Sequence, residues 1–186
     1  MKVVEIPLVD ASVITVDKYE DDRGFFMESF NKEQFEKELG HYAFVQDNHS
    51  KSSKGVLRGL HYQLEKPQGK LMRCTQGAVY DVIVDLRKSS RSFGLSFSIT
   101  LENPETIMWV PPGFAHGFYT LSDTAEVQYK TTDYYHPKSQ HTLLWSDLDL
   151  GIVWPFKAYL HQDIIQPILS EKDAQGKTFE ECEKYD

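Results

Sequence analysis

The chain has 186 residues, enough for a substantial hydrophobic core, and we expect residues 1–186 to form a single domain. A formal net charge of −8 and an isoelectric point near 5.4 disfavour a nucleic-acid-binding surface, although a local basic pocket can still bind a small anion. Two cysteines without metal spacing, no N-terminal signal-peptide core and no apolar run of ~20 residues predict a cytoplasmic protein without disulfides or membrane spans.

The N-terminal third begins with short strands. Residues 3–16 predict one or two strands, and Pro7 confines the first to a sheet edge because proline cannot donate a ladder hydrogen bond. A turn at Asp21–Gly24 precedes a second alternating segment. Arg23 and Glu28 fit equally well as solvated charges and as site residues, so both interpretations stay open.

One clear helix follows. Asn31 can cap its first turn, Gln34 completes the spacing of a capping box, and Gly40 ends it. Phe35 and Leu39 lie on one face. Because the other face is highly charged, we expect this helix to cover the domain as a lid and not to form part of the core.

Residues 44–53 predict a strand that runs into a polar turn. Gln46 and Asn48 have the same strand parity and can present their amides to a ligand. His49 has the opposite parity and no second metal ligand two residues away, so we expect it to be structural or exposed.

The segment GVLRGLHYQLEKPQGKLMRC, residues 55–74, concentrates the chemistry-bearing side chains. His61 is the best candidate for an acid–base group, because imidazole titrates near neutral pH. Arg58 suits a phosphate, and Lys70 can meet a developing oxyanion. Arg58 and His61 have opposite parity in a regular strand, so they can face one cavity only if Gly59 permits a bulge. We therefore predict a bulge there.

Two later predicted strands carry polar residues among apolar ones, where burial is expected. Residues 78–87 alternate cleanly, and Asp81 and Asp85 lie on the apolar face, so at least one needs a partner. After the Pro-Pro-Gly corner at 111–113, His116 stands between two phenylalanines. It fits a satisfied core histidine, but flanking glycines allow close backbone approach, which favours a ligand-facing role.

A last long strand is predicted over residues 125–137, with Tyr129 and Tyr135 on one face. A phenol pointing into a cavity can donate a proton and a second ring can stack on a base, although both also fit ordinary sheet tyrosines. An irregular linker follows through Ile165. Many short strands, turns and one helix predict an all-β sandwich or small barrel.

Metal and cofactor chemistry has little support in the sequence. Nucleophile-elbow, Walker and dinucleotide-glycine motifs are absent. The central segment has His-Tyr-Gln where a metal-binding barrel would have His-x-His, and no glutamate follows at a short spacing as a third ligand. We expect no catalytic metal and no cofactor, although acidic residues and histidines elsewhere could still converge.

Taken together, the motifs resemble one family. DDRGFFMESF, VQDNHS, GVLRGLHYQ, QGKLMRC, VYDVIVDLR, PPGFAHGF, YKTTDYY and PILSEKD occur in this order between about residues 21 and 173. This set is similar to that of the dTDP-4-dehydrorhamnose 3,5-epimerase family. The resemblance implies a cupin-like jelly-roll with a few short helices, a homodimer with exchanged N-terminal strands, and metal-free inversion of C3 and C5 of dTDP-4-keto-6-deoxy-D-glucose.

The resemblance also implies roles for individual residues. His61 resembles the general base, Tyr129 the acid on the opposite face of the sugar, and Lys70 the residue that stabilises the enolate. Asp173 resembles the carboxylate that pairs with the histidine, and such a carboxylate would fix its tautomer and favour its protonated form. Asp81 remains a competing partner for His61.

A second set matches positions that contact the nucleotide-sugar, with the last ring stacking on thymine: Arg23, Phe25, Glu28, Gln46, Asn48, Arg58, His116, Lys172 and Tyr135. The chain departs from the family near Gln140, where a glutamate that touches the ligand is common, and in a longer tail between residues 154 and 167. Epimerisation of one carbon only, another nucleotide-linked sugar, a metal-dependent cupin enzyme and a non-catalytic binding module stay open as alternatives.

Overall fold

The computed structural model describes residues 1–156 and 166–186. Most of the linker predicted through Ile165 lies outside the described residues. The strands are β1 (Lys2–Glu5), β2 (Ser12–Thr15), β3 (Lys18–Asp21), β4 (Gly24–Met27), β5 (Gln46–Ser53), β6 (Leu57–Gln63), β7 (Lys70–Gln76), β8 (Val79–Asp85), β9 (Ser96–Leu101), β10 (Thr106–Val110), β11 (Phe114–Thr120), β12 (Thr124–Thr131) and β13 (Gln140–Thr142). The helices are α1 (Lys32–Leu39) and α2 (Glu171–Ala174), with 3₁₀ turns at Pro137–Ser139 and Leu148–Leu150.

Two antiparallel sheets form the body of the protein, as the strand pattern predicted. One sheet has the order β1-β2-β10-β7-β12-β5, and the other has the order β13-β6-β11-β8-β9. Strand β1 lies at a sheet edge, which confirms the position expected from Pro7. Strands β3 and β4 form a separate hairpin.

The main hydrophobic core lies between the two sheets. Met72 and Met108 come from the first sheet, and Ile83 and Phe118 come from the second. Each of these side chains is at most 6% exposed. This close packing fixes the two sheets relative to each other, so a cavity between them has well-defined walls.

Helix α1 begins and ends where predicted, but its role differs from the prediction. The Asn31 side chain accepts a hydrogen bond from the Gln34 backbone, and Gly40 adopts φ = 90° after the last turn. The expectation of a lid outside the core was wrong. Phe35 is only 1% exposed and packs edge-on against Trp109 at 5.1 Å, so the helix seals a third cluster on the outer face of the six-stranded sheet.

The segment before the central motif also differs from the prediction. The predicted strand does not run into a polar turn: β5 continues through Ser53, and its eight residues all pair with β12. Alternate residues of this edge strand are exposed, so polar side chains cost little at these positions. This pairing places Gln46, Asn48 and Ser50, which alternate along β5, at a cavity between the two sheets.

Candidate active site

A cavity of about 480 Å³ opens between the two sheets. It collects ten of the residues predicted for the site: Gln46, Asn48, Arg58, His61, Lys70, His116, Tyr129, Tyr135, Lys172 and Asp173. We call it the His61 cavity. Its walls come from both sheets and from α2, so its polar groups converge from segments far apart in the chain.

A bulge in β6 turns Arg58 and His61 toward the same cavity, as predicted. His61 pairs with His116 and Arg58 pairs with Phe118, so an interval of three residues on β6 faces an interval of two on β11. Gly59 within this interval has φ = 114°. A Cβ atom at Gly59 would lie 2.6 Å from the Cα of Gly117 across the ladder, so only glycine fits.

The His61 ring forms a short hydrogen bond with Asp173. Nε2 of His61 lies 2.5 Å from Oδ1 of Asp173, and the carboxylate is 6% exposed. A carboxylate accepts the Nε2 proton, which leaves Nδ1 of the neutral ring as the atom able to accept another proton. The alternative partner, Asp81, does not contact His61 but pairs with His116.

Asp173 itself is held by groups that the sequence did not single out. Ser170 caps α2, and its hydroxyl donates to Oδ2 of Asp173 at 2.7 Å. The Gly59 backbone N–H donates to Oδ1 at 3.2 Å. Ile168 pairs with Val56 just before β6 and so brings α2 up to that strand. A capping serine three residues before Asp173 was the available sequence signal.

The protonation state of His61 differs from the expectation that Asp173 would favour the protonated ring. Burial lowers the pKa of His61 below its ordinary value, and the opposing hydrogen bond and charge of Asp173 do not restore it. For Asp173, burial raises the pKa, but the hydrogen bonds from His61 and Ser170 outweigh this and leave it lowered. The resting pair is therefore a neutral imidazole beside a carboxylate, the form that a general base requires.

Lys70 supplies a buried cation in the wall of the cavity. Its residue is 8% exposed, and Nζ donates to the backbone oxygen of His61 at 3.3 Å. Burial lowers the pKa of its ammonium group to about 8, an effect that Asp81 opposes and Lys172 reinforces. The side chain is therefore mostly protonated at pH 7 and loses its charge as the pH rises through 8.

Tyr129 approaches the cavity from the other sheet. It lies on β12 of the six-stranded sheet, whereas His61 lies on β6 of the five-stranded sheet, and both side chains line the same cavity. Burial raises the pKa of the phenol above its ordinary value, and the positive charge of Arg58 only partly opposes this. The hydroxyl therefore keeps its proton near neutral pH and can donate it.

The mouth of the cavity is organised by amides and one aromatic ring. Gln46 donates to Asn48 at 3.0 Å and accepts the backbone N–H of Tyr135 at 3.1 Å. The Tyr135 hydroxyl donates to Oε1 of Gln140 at 2.7 Å. Gln140, the position where the chain departs from the family pattern, thus lies on the cavity and holds the ring. These contacts join the edges of the two sheets.

Three predicted site residues lie away from the His61 cavity. Arg23 is exposed in the turn of the β3–β4 hairpin and pairs with Asp21, and Phe25 is 56% exposed on the same hairpin. Glu28 follows the hairpin and accepts a hydrogen bond from Asn31. Within one chain, the structure does not bring these residues to His61.

Within residues 1–156 and 166–186, no three His, Cys, Asp or Glu side chains converge as they would around a metal ion. None of the helices in these ranges is both long and apolar enough to cross a membrane. The expectation of metal-free chemistry stays a prediction.

Comparison with known proteins gives a consistent result. The family model of dTDP-4-dehydrorhamnose 3,5-epimerase matches residues 5–181. The enzyme of that name from Pseudomonas aeruginosa is 48% identical over 100% of this chain and 99% of its own length. The one from Escherichia coli K12 is 49% identical over 97% of this chain and 96% of its own length.

A solved structure supports the same relationship. It is dTDP-6-deoxy-D-glucose-3,5-epimerase from Legionella pneumophila Philadelphia 1 in complex with dTDP-4-keto-L-rhamnose. The two chains are 42% identical, with a TM-score of 0.91 over 98% of this chain and 94% of the other. The sandwich is therefore the expected cupin-like jelly-roll, and the chain belongs to the dTDP-4-dehydrorhamnose 3,5-epimerase family.

Proposed function

We propose that the protein is an isomerase that inverts C3 and C5 of dTDP-4-keto-6-deoxy-D-glucose in dTDP-L-rhamnose biosynthesis. The observation that carries this proposal is the meeting, in one cavity, of a base and an acid from facing sheets. The His61–Asp173 pair lies on one wall, and Tyr129 comes from the opposite sheet. The buried Lys70 ammonium, on β7 beside Tyr129, lines the same cavity and donates to the backbone oxygen of His61.

The proposed chemistry follows from the substrate. A ketone at C4 acidifies the protons on C3 and C5, and Nδ1 of His61 removes one of them. The electron pair moves into an enolate, whose oxygen gains negative charge that the Lys70 ammonium stabilises. Tyr129 then gives its proton to the opposite face of the same carbon, which inverts the centre. Exchange with solvent restores His61 and Tyr129 before the second carbon reacts.

The remaining cavity residues fit a nucleoside diphosphate. Nε of Arg58 donates to the Ser52 hydroxyl at 2.9 Å, which holds the guanidinium at the cavity and fits it to bind phosphate. Lys172 and His116 add further donors, and the amides of Gln46 and Asn48 complete this set. Tyr135 is 53% exposed at the mouth, where its ring can stack on thymine.

The exposed hairpin supports a homodimer with exchanged N-terminal strands. Tyr19, Phe25 and Phe26 are 65%, 56% and 71% exposed, an apolar surface that another subunit can cover. We propose that this hairpin reaches the His61 cavity of the partner subunit and there presents Arg23, Phe25 and Glu28 to the substrate. The hairpin lies apart from the cavity in its own subunit, which is consistent with this exchange.

Mixing two inactive variants tests this exchange. Arg23→Ala and His61→Asn subunits, unfolded together and refolded, are expected to recover about a quarter of wild-type activity, because half the dimers are mixed and each mixed dimer has one intact site. The control is each variant refolded alone. No recovery in the mixture, with mixed dimers demonstrated by mass spectrometry, would show that the hairpin serves its own subunit.

Proton NMR of dTDP-4-keto-6-deoxyglucose in D₂O with the enzyme tests the activity itself. We expect loss of both the H3 and H5 signals, because each proton is removed and replaced from solvent. Loss of one signal alone would indicate a single-carbon epimerase. Binding of dTDP with no exchange would indicate a binding module, and exchange abolished by a chelator would indicate a metal-dependent cupin enzyme.

Two broader proposals accompany this function. We propose that residues 1–186 act as a single catalytic domain, since the cavity draws on segments from β5 to α2. We also propose a cytoplasmic location. Cys74 and Cys182 are both buried and free, which suits a reducing compartment.

A further inference from the structure

Gln63 is a buried amide of the His61 cavity that the proposed chemistry does not use. It is the last residue of β6, two positions after His61, and it is 4% exposed. Its Nε2 atom donates to the backbone oxygens of Lys66 at 2.8 Å and Tyr134 at 3.3 Å, and its Oε1 atom accepts the backbone N–H of His136 at 2.9 Å. We call these three bonds the Gln63 clamp. Both donor hydrogens of the amide are engaged by backbone, so Gln63 has none left to offer a ligand.

Two bonds of the Gln63 clamp fix the backbone on either side of Tyr135. The Tyr134 oxygen belongs to the peptide plane before Tyr135, and the His136 N–H belongs to the plane after it. Because a peptide unit is planar, holding both planes sets the two backbone dihedral angles of Tyr135 and so the direction of its side chain. Gln46 reinforces the first plane by accepting the Tyr135 N–H at 3.1 Å.

The rest of the molecule restrains the Tyr135 side chain weakly. Residues 133–136 form irregular backbone between β12 and the 3₁₀ turn that follows. The ring is 53% exposed, so packing holds it little, and its hydroxyl bonds to Gln140 at the tip. The position of the ring therefore depends mainly on the peptide planes that the Gln63 clamp holds.

The Gln63 clamp also ties this ring to the strand that carries the proposed base. The backbone oxygen of Gln63 accepts a hydrogen bond from the hydroxyl of Tyr185, another residue of the cavity wall. Gln63 and His61 have the same parity in a regularly paired part of β6, and both line the cavity. The placement of the Tyr135 ring relative to His61 is thereby set through one short stretch of strand.

We propose that Gln63 is a positioning residue for nucleotide binding, whose amide directs the Tyr135 ring so that it stacks on the base while the sugar reaches His61. The inference rests on the proposed function, because it takes Tyr135 as the ring that binds thymine. Gln63 acts through Tyr135 and not on the substrate. Its removal should therefore weaken nucleotide binding and leave the proton-transfer steps in place.

The test is a double-mutant cycle on the dissociation constant for dTDP, measured by calorimetry. Gln63→Met keeps the length of the side chain and loses all three bonds of the clamp. We expect Kd to rise about tenfold in Tyr135→Ala, which loses base–aromatic stacking, and about fivefold in Gln63→Met, which misplaces the ring. The double variant should bind no more weakly than Tyr135→Ala, because no ring is left to position. Two independent effects would instead multiply to about fiftyfold.

Turnover gives a second readout. In Gln63→Met, KM for dTDP-4-keto-6-deoxyglucose should rise about as much as Kd, whereas kcat should stay within about twofold of wild type, as expected when uniform binding is lost. Gln128→Met is the matched control, because Gln128 accepts a hydrogen bond from Arg73 at 3.2 Å outside the His61 cavity. It should leave Kd and KM unchanged. If Gln63→Met does not fold, Gln63→Glu keeps the bond from His136, loses the two donated bonds and enters the same cycle.

The outcomes distinguish the role of Gln63 from the proposed function. A raised Kd in the Gln63 variant that adds nothing in the Tyr135→Ala background is the result we expect. An unchanged Kd in either single variant, effects that multiply in the double variant, or a fall in kcat without a rise in KM would overturn the role of Gln63 and leave the proposed function intact. A wild-type protein that exchanges neither H3 nor H5 would instead overturn the proposed function.

Discussion

Replacing His61 by asparagine is expected to reduce solvent exchange at C3 and C5 by about 10³-fold, because general acid–base groups contribute roughly 10²–10⁴-fold to such steps. Asparagine can still hydrogen-bond to Asp173, but its amide has no nitrogen basic enough to accept a carbon-bound proton. Deuterium incorporation followed by NMR measures the effect. Binding of dTDP should remain measurable, because the residues proposed to bind the nucleotide are unchanged.

His49→Asn is the matched control for this variant. His49 is a half-exposed histidine on β5 that bonds to Glu126 outside the His61 cavity, so its loss should leave exchange unchanged. Wild-type exchange in His61→Asn would remove His61 as the base. Comparing the two variants therefore separates the loss of Nδ1 of His61 as the base from any general effect of losing an imidazole.

Replacing Tyr129 by phenylalanine should separate proton removal from inversion. Without the phenol, the enolate can be reprotonated only from the His61 side, which returns the original configuration with deuterium from solvent. We expect formation of the inverted product to fall by about 10²-fold or more, while exchange at C3 falls much less. NMR reports both quantities in one sample, since the epimers have distinct signals.

The control for the tyrosine variant is Tyr80→Phe. The Tyr80 hydroxyl bonds to Ser98 at 2.6 Å outside the His61 cavity, so this change removes a phenol without touching the proposed chemistry. Equal loss of exchange and inversion in Tyr129→Phe would contradict the acid assignment. The phenol would then act in binding or in stabilising the enolate.

Features that depend on neighbours along the chain were predictable from the sequence. The Asn31 cap, the end of α1 at Gly40 and the bulge at Gly59 all follow from residues a few positions apart. Their physical basis is local: a side-chain oxygen reaches a backbone N–H three residues away, and glycine alone tolerates positive φ at little cost.

The misjudged elements show the limit of local patterns. The last residues of β5 are so polar that their sequence favours a turn, but β12 supplies backbone partners for the whole strand. Phe35 lies on a helix that is charged on its other face, but Trp109, more than seventy positions later, buries it. In both cases a long-range contact outweighed the local preference.

The sequence by itself determined the kind of chemistry, because His61, Tyr129, Lys70 and Asp173 lie in motifs that can be recognised without coordinates. Only the tertiary structure decided between the carboxylates: His61 pairs with Asp173, 112 positions away, and Asp81 pairs with His116. The physical reason is that a hydrogen bond depends on distance in space, and the distance between remote segments is set by sheet pairing and by the docking of α2 on β6.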